Sequence, residues 1–356
     1  MSTFTYDALP GRVVFGPGVA RTGLLAEVDA FGAKRILLIA GGTETELARE
    51  LCAPFAGRVA ATFAGVRPHV PVEVAERARE AAVGADLVLS VGGGSTTGTA
   101  KAVALTTGLP IVAVPTTYAG SEVTPVWGLT EGSRKTTGTD PRVLPRTVVY
   151  DPELTLTLPA DLSVASGLNA MAHCVEAFWA PRRNPVSSAV AEDGIRHLAA
   201  GLPAVAAAPA DGGARADLLL GAYLAGSAFA VAGSGLHHKI CHVLGGAYDL
   251  PHARTHAIVL PHVLAFNAPY APEAAARIAD ALGRRDAVGG LRELGERLGV
   301  PAGLRELGLR EGDLDTVLDE ILALAPADNP HPVTPAGLRS LLHGAWSGTA
   351  PAREDT

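Results

Sequence analysis

Across the first 150 residues, short β-rich runs alternate with helical patterns, and this alternation limits the fold more than any other feature of the chain. RILLIA (35–40), RVAATFA (58–64), DLVLSV (86–91), PIVAVP (110–115) and RTVVY (146–150) read as strands. Helical patterns lie between several of them, notably VEVAERAREAAVGA, where acidic and basic residues interleave on an Ala-rich background. Strand, helix and strand in that rhythm build a mostly parallel sheet with helices on its faces. Ligands of such sheets bind outside the carboxyl ends of the strands.

After DPELTLTLP (151–159) the texture changes to nearly continuous helical pattern, rich in Ala and Leu and punctuated by Pro and Gly. The expected organisation is a Rossmann-like α/β domain over residues 1–158 and an all-α domain over 159–356. PAVAAAPADGGA (203–214) reads as a loop between helices, and the closing TAPAREDT as a frayed tail.

Composition narrows the partners. At 48% hydrophobic and 18% charged residues, the 356-residue chain can order and bury a sizeable core. A net charge of −7 gives no electrostatic reason to expect nucleic acid or a membrane surface. An anionic substrate must therefore be captured by local positive charge. Cys52, Cys174 and Cys241 are too few and too far apart for a disulfide framework. The start, MSTFTYDALPGR, lacks the basic and apolar pattern of a signal peptide, and no unbroken apolar stretch is long enough to span a bilayer. A cytoplasmic protein is expected.

SVGGGSTTGTAKAVAL (90–105) sets a glycine cluster between a strand and a helix. Without Cβ atoms, Gly92, Gly93 and Gly94 let a phosphate approach the backbone, and the N–H groups of Ser95 and Thr96 would point at it. The stretch is neither G-x-G-x-x-G nor a P-loop. A second segment, VPTTYAGSEVTP (114–125), brings the hydroxyls of Thr116, Thr117 and Ser121 to the next strand end. Either loop alone is only turn chemistry. Two at adjacent strand ends point to a dinucleotide crevice. The first strand runs into AGGTE with no acidic residue before Glu44, so NADH and NADPH are both expected to serve.

Residues 236–262 hold six of the eleven histidines: His237, His238, His242, His252, His256 and His262. Asn169 and His173 are four apart, as are His238 and His242, so each pair projects from one helix face. His252 follows ten residues after His242. One buried histidine on an Ala-rich helix is more often a satisfied core group than a ligand. Six within 27 residues point to a functional cluster, either metal-binding or acid–base.

The order GGGS, PTTYAGSE, N-x-x-x-H, H-x-x-x-H and a later histidine resembles the iron-containing alcohol dehydrogenase family over nearly the whole chain. SGLNAMAHCVEAFWAP, LHHKICHVLGGAYDLPHARTHAIVLPH and NPHPVTPAGLRSLLHGAWSG are similar to the maleylacetate reductase branch of that family. The resemblance implies the dehydroquinate synthase-like fold of that family, a nucleotide-binding first domain, a helical second domain, an active site between them and a homodimer. It also implies a divalent metal, iron or zinc, held by an Asp and three histidines. Carried over, the histidines are His173, His238 and His252, and Asn169 stands where the Asp would be.

An amide oxygen is neutral and binds a hard cation more weakly than a carboxylate does, which argues against a tightly held metal. Three histidines alone can still hold zinc. The implied reaction is reduction of the carbon–carbon double bond of maleylacetate to 3-oxoadipate in aromatic-compound catabolism. His173, His238, His242 and His252 then line the catalytic pocket, with His242 the general acid. Asn169, Tyr118, Lys239 and Arg254 are the candidates for binding the small dicarboxylate substrate, while His237, His256 and His262 give support. The competing readings are a metal-dependent alcohol dehydrogenase acting on a small alcohol or aldehyde, and a biosynthetic or lyase-type relative with a changed substrate.

Overall fold

The computed structural model describes residues 3–9, 11–132 and 134–349. The tail expected to fray lies, from residue 350 onward, outside the described residues. The chain forms two compact units. One contains Ala8–Pro159 together with Pro209–Leu219; the other contains residues 3–7, Ala160–Ala208 and the described residues from Leu220 to 349.

The first unit is built on strands β1 (Arg12–Phe15), β2 (Ile36–Ile39), β3 (Val59–Phe63), β4 (Leu87–Gly92), β5 (Ile111–Pro115) and β8 (Thr147–Tyr150). They form one six-stranded sheet in the order β1-β8-β5-β4-β2-β3, with every pairing parallel. The runs ILLI, LVLSVG, IVAVP and TVVY of the four inner strands are wholly buried, as a sheet covered on both faces requires. The edge strands β1 and β3 are partly exposed. From β2 the chain first builds outward to β3 and then returns to β2's other side as β4. The order therefore reverses beside the carboxyl ends of β2 and β4, where a crevice opens in folds of this kind.

All five expected strands are present, and three more accompany them. One is β1, short and on the edge. The other two, β6 (Val126–Glu131) and β7 (Arg134–Thr139), form a separate antiparallel hairpin. Gly138 opposes Trp127 there, and a Cβ at 138 would stand 2.6 Å from the indole, so only glycine fits beneath that ring. Asp151, fully buried after β8, accepts the N–H groups of Gly18 (3.0 Å) and Ala20 (3.1 Å). It caps the helix Val19–Ala30, whose own N-cap, Gly18, has no side chain to do so.

The second unit is helical. Leu236, Ile240, Leu244, Ile258, Val259, Val263, Leu318, Ile321, Leu338 and Leu342 belong to one apolar cluster built by four of its helices. Two corrections concern the stretch read as a loop at 203–214. Helix Pro185–Ala207 continues through Pro203, and the next helix, Gly212–Ala232, begins by Gly212. A proline removes one backbone donor, and this helix is long enough to absorb that loss. The helix 212–232 is also long and apolar enough to cross a membrane by length and composition alone, although 56% of its most apolar window is buried within the protein.

Candidate active site

In the first unit the glycine turn closes tightly between β4 and the helix Gly94–Thr107. Gly92 has φ +148°, and a Cβ there would stand 2.5 Å from Thr96 Oγ1. A Cβ on Gly93 would meet Thr117 Cγ2 at 2.9 Å, and one on Gly94 would meet Ala119 Cβ at 3.2 Å. The two loops expected to flank a dinucleotide are thus packed against each other, with glycine on one side of each contact. The amides of Thr96 and Thr97 turn back onto the carbonyl of Gly93, at 3.0 and 3.1 Å. Thr96 N–H is therefore already engaged, and the helix presents Gly94 and Ser95 as its anion-facing amides.

Thr116 is buried, its N–H donating to the Gly92 carbonyl (3.2 Å) while its hydroxyl has no partner among the described residues. Thr117 and Ser121 are half-buried. Tyr118 is wholly buried, and its hydroxyl accepts a hydrogen bond from Arg215 Nη1 at 3.0 Å. That contact ties segment 209–219 to its own unit and takes Tyr118 out of the substrate set.

Lys101 was not singled out by the sequence, yet it organises the second loop. Its ammonium, fully buried, donates to the carbonyls of Ser121 (2.6 Å), Thr124 (2.8 Å) and Val126 (2.7 Å) and to Thr124 Oγ1 (3.0 Å). Burial pulls its pKa down to about 7, opposed by the charge of Glu122. Three carbonyl acceptors nonetheless call for all three N–H groups of the charged form.

In the second unit, helix Ala160–Glu176 carries Asn169, His173 and Glu176 at spacings that share one face. Helix Leu236–Tyr248 carries His237, His238 and His242. Asp249, at φ +50°, and Pro251 then turn the chain into helix His252–Asn267, which starts at His252 and brings His256 one turn later. The histidine rings form a continuous series. His173 and His238 stack at 4.9 Å between centroids, and Phe229 packs on both. His238 lies 4.9 Å from His256 and 5.9 Å from His242, His242 lies 6.0 Å from His252, and His252 lies 4.3 Å from His256. His173, His237, His238 and His256 are buried, whereas His242 and His252 are exposed. The series runs from an apolar floor to a solvent-open edge.

Glu176, also missed at the level of sequence, fixes one member of that floor. It is fully buried; Oε1 accepts the N–H of His237 (2.7 Å), Oε2 accepts the N–H of Gly235 (3.0 Å), and Oε2 also meets His238 Nδ1 in a short contact. The carboxylate thus caps helix 236–248 from another helix, because the N-cap, Gly235, has no side chain. A Cβ at 235 would stand 2.6 Å from Oε1, so the glycine is what admits the acid. Burial pushes Glu176 up to about 7 against its helix hydrogen bonds, and burial pulls His238 down to about 3. His173, His237 and His256 are lowered well below the usual imidazole value by burial first and by neighbouring histidines second. The floor is therefore made of neutral imidazoles at neutral pH.

Four buried polar atoms here have no hydrogen-bond partner among the described residues: Asn169 Oδ1, His173 Nδ1, His238 Nε2 and His256 Nε2. Of the other expected residues, Lys239 is half-buried and Arg254 exposed. The metal set carried over from the family does not fit. Asn169 offers it a neutral amide where a hard cation such as iron(II) prefers a carboxylate, and Glu176 is spent on His238 and the helix amides. Among the described residues, the His, Cys, Asp and Glu donors that come within 4.8 Å of one another in threes are His242/His252/His256 and His237/Cys241/His256. His252 converges with His242 and His256 rather than with His173 and His238.

Comparison with known proteins gives these features a setting. Residues 10–152 match the family model of iron-containing alcohol dehydrogenase, and residues 163–346 that of the C-terminal part of the same family. A maleylacetate reductase from Burkholderia cepacia is 46% identical over 354 residues, covering 99% of this chain and all of its own. The crystal structure of a maleylacetate reductase from Agrobacterium tumefaciens superposes with a TM-score of 0.94 at 44% identity, covering 99% of this chain and 100% of that one. That of an iron-containing alcohol dehydrogenase from Corynebacterium glutamicum does so with a TM-score of 0.95 at 50% identity, covering 98% of each.

Proposed function

The chain belongs to the iron-containing alcohol dehydrogenase family, and on that premise we propose that it reduces the carbon–carbon double bond of maleylacetate to give 3-oxoadipate, with NADH or NADPH, in the catabolism of aromatic compounds. The observation that carries the reading is a cluster of neutral histidines with an amide, Asn169, where a metal-binding acid is expected, in a chain similar to maleylacetate reductases over its full length. A homodimer in the cytoplasm accompanies this reading at the level of the family.

The reduced dinucleotide, when bound, supplies a hydride. In the first unit, the amides of Gly94 and Ser95 at the start of helix 94–107 receive a phosphate, and Thr116, Thr117 and Ser121 offer hydroxyls along the second loop. Lys101 holds that loop in register. Hydride adds to the alkene carbon β to the ketone, and the electron pair of the double bond moves onto the ketone oxygen as an enolate. His173 donates to that oxygen, His252 positions a carboxylate, and Glu176 fixes the ring of His238 beside His173. His242, exposed at the edge of the series, returns a proton to the carbon α to the ketone. Asn169, Lys239 and Arg254 are assigned to the two substrate carboxylates. No step needs a Lewis acid, and none is routed through a metal.

Reduced nicotinamide carrying deuterium at its transferable position tests the assignment. The expected product is 3-oxoadipate with one deuteron on the carbon β to the ketone. A hydroxy acid with deuterium on the carbinol carbon would overturn it in favour of carbonyl reduction.

A further inference from the structure

We propose that His242, His252 and His256 form a three-imidazole site for a divalent transition-metal cation of the zinc type, and that its occupation silences the enzyme. The silencing rests on the reading of His242 as proton donor; the site itself rests on geometry alone.

The three side chains bring one donor atom each to within 4.8 Å of one another. A tetrahedral ion with bonds of about 2.0 Å to imidazole nitrogen needs its ligand atoms roughly 3.3 Å apart, so small side-chain rotations close the set. Ring centroids of such ligands stand about 5 Å apart, and the three observed separations, 4.3, 6.0 and 6.4 Å, bracket that value. His252 and His256 share a face at the start of one helix, and His242 comes from the helix packed beside it. Imidazole is the side chain that zinc, copper and nickel prefer.

The surroundings supply what a metal site requires besides its ligands. His256 Nδ1 lies 2.9 Å from His237 Nε2, which orients the ring and leaves Nε2 as the buried nitrogen with no partner in the protein. His237 therefore stands behind His256 as an outer partner stands behind a metal ligand. His242 and His252 are exposed and give the ion its way in. Three ligands leave the fourth position of a tetrahedral ion to water or an anion. The other convergent set, His237/Cys241/His256, is fully buried with no way in for an ion, its thiol is held protonated by burial, and Nε2 of His237 is engaged by His256. The proposed site shares only His252 with the set implied by the family. An ion seated here takes the ring nitrogen that His242 needs for proton transfer.

Chelator-treated protein without substrate is titrated with Co2+, followed by visible absorbance, and with Zn2+ by calorimetry. The expected result is one ion per chain with the intense absorbance of a tetrahedral site. Affinity should fall about tenfold or more in His256→Gln and in the exposed-site variant His242→Ala, and stay unchanged in His173→Gln. In turnover assays, the Zn2+ concentration giving half-inhibition should match the calorimetric Kd. It should rise by the same factor in His256→Gln relative to that variant's own metal-free rate. No binding, binding without inhibition, or binding lost in His173→Gln but kept in His256→Gln would overturn the proposal. Absence of maleylacetate turnover in metal-free protein would count against the proposed reaction alone, because the Co2+ titration reads the site without it.

Discussion

Replacing Glu176 by Gln changes almost no volume and removes one acceptor from a place that uses both. Oε1 and Oε2 each take a backbone N–H of helix 236–248, at 2.7 and 3.0 Å. A carboxamide has one oxygen and one NH2, so whichever way it lies its NH2 confronts a helix N–H. At pH 5, where the carboxyl is protonated and both of its oxygens still accept, the variant leaves one buried backbone donor unpaired, a cost of about 2 kcal/mol. That is roughly a 30-fold loss in the folding equilibrium and a few degrees of Tm. The amide end facing His238 Nδ1 also reverses which ring nitrogen carries the proton. Loss of such an orienting partner costs about 10- to 100-fold in kcat, while KM for the dinucleotide stays put because its loops belong to the other unit. Gly235→Ala provides a second route. At φ −104° and ψ −158° the backbone accepts alanine, but its Cβ would stand 2.6 Å from Oε1 and push the carboxylate away. Thermal melts and steady-state kinetics with maleylacetate read both variants. Wild-type Tm and kcat in Glu176→Gln would refute the reasoning.

Three further outcomes follow from the same geometry. Because burial raises Glu176 to about 7, the folded chain holds a proton that the unfolded chain has released from about pH 4.5. The resulting penalty is absent below pH 4.5, grows as pH rises to 7, and is complete above it at about 3 kcal/mol; the difference in unfolding free energy between wild type and Glu176→Gln should carry that slope between pH 5 and about pH 8. In Gly93→Ala, a Cβ 2.9 Å from Thr117 Cγ2 should raise dinucleotide KM about tenfold with little change in kcat, and Thr117→Ser, which removes that methyl, should restore much of it. Lys101→Met strands one buried and two partly buried carbonyls, so Tm should fall by several degrees and dinucleotide KM should rise; a variant that melts like the wild type would contradict the role assigned to Lys101.

The sequence announced its elements where burial is two-sided. ILLI, LVLSVG, IVAVP and TVVY are apolar throughout because both faces of their strands are covered. The hairpin 126–139 escaped because VWGLTE and RKTTGT carry Thr and charge rather than a continuous apolar run. Pro203 misled in the opposite sense, since a long helix can pass through one proline. At the site, the spacings 169/173, 238/242 and 252/256 put each pair one turn apart on a single helix, as the structure has them. Spacing cannot show which rings converge across helices: the metal set carried over from the family joins His252 to His173 and His238, whereas its ring nitrogen meets those of His242 and His256. Glu176 and Lys101 left faint signals, an acid three residues after His173 and a lone lysine within TAKAVAL. Their roles depend on backbone groups of distant segments, which no local pattern encodes.

The most direct test of the account is to dialyse the protein against a chelator and follow the absorbance of NADH and of NADPH with freshly prepared maleylacetate. Turnover should persist undiminished after chelation, with one 3-oxoadipate formed per reduced nicotinamide consumed. Consumption of neither dinucleotide, or activity that vanishes on chelation and returns with one added ion, would contradict it.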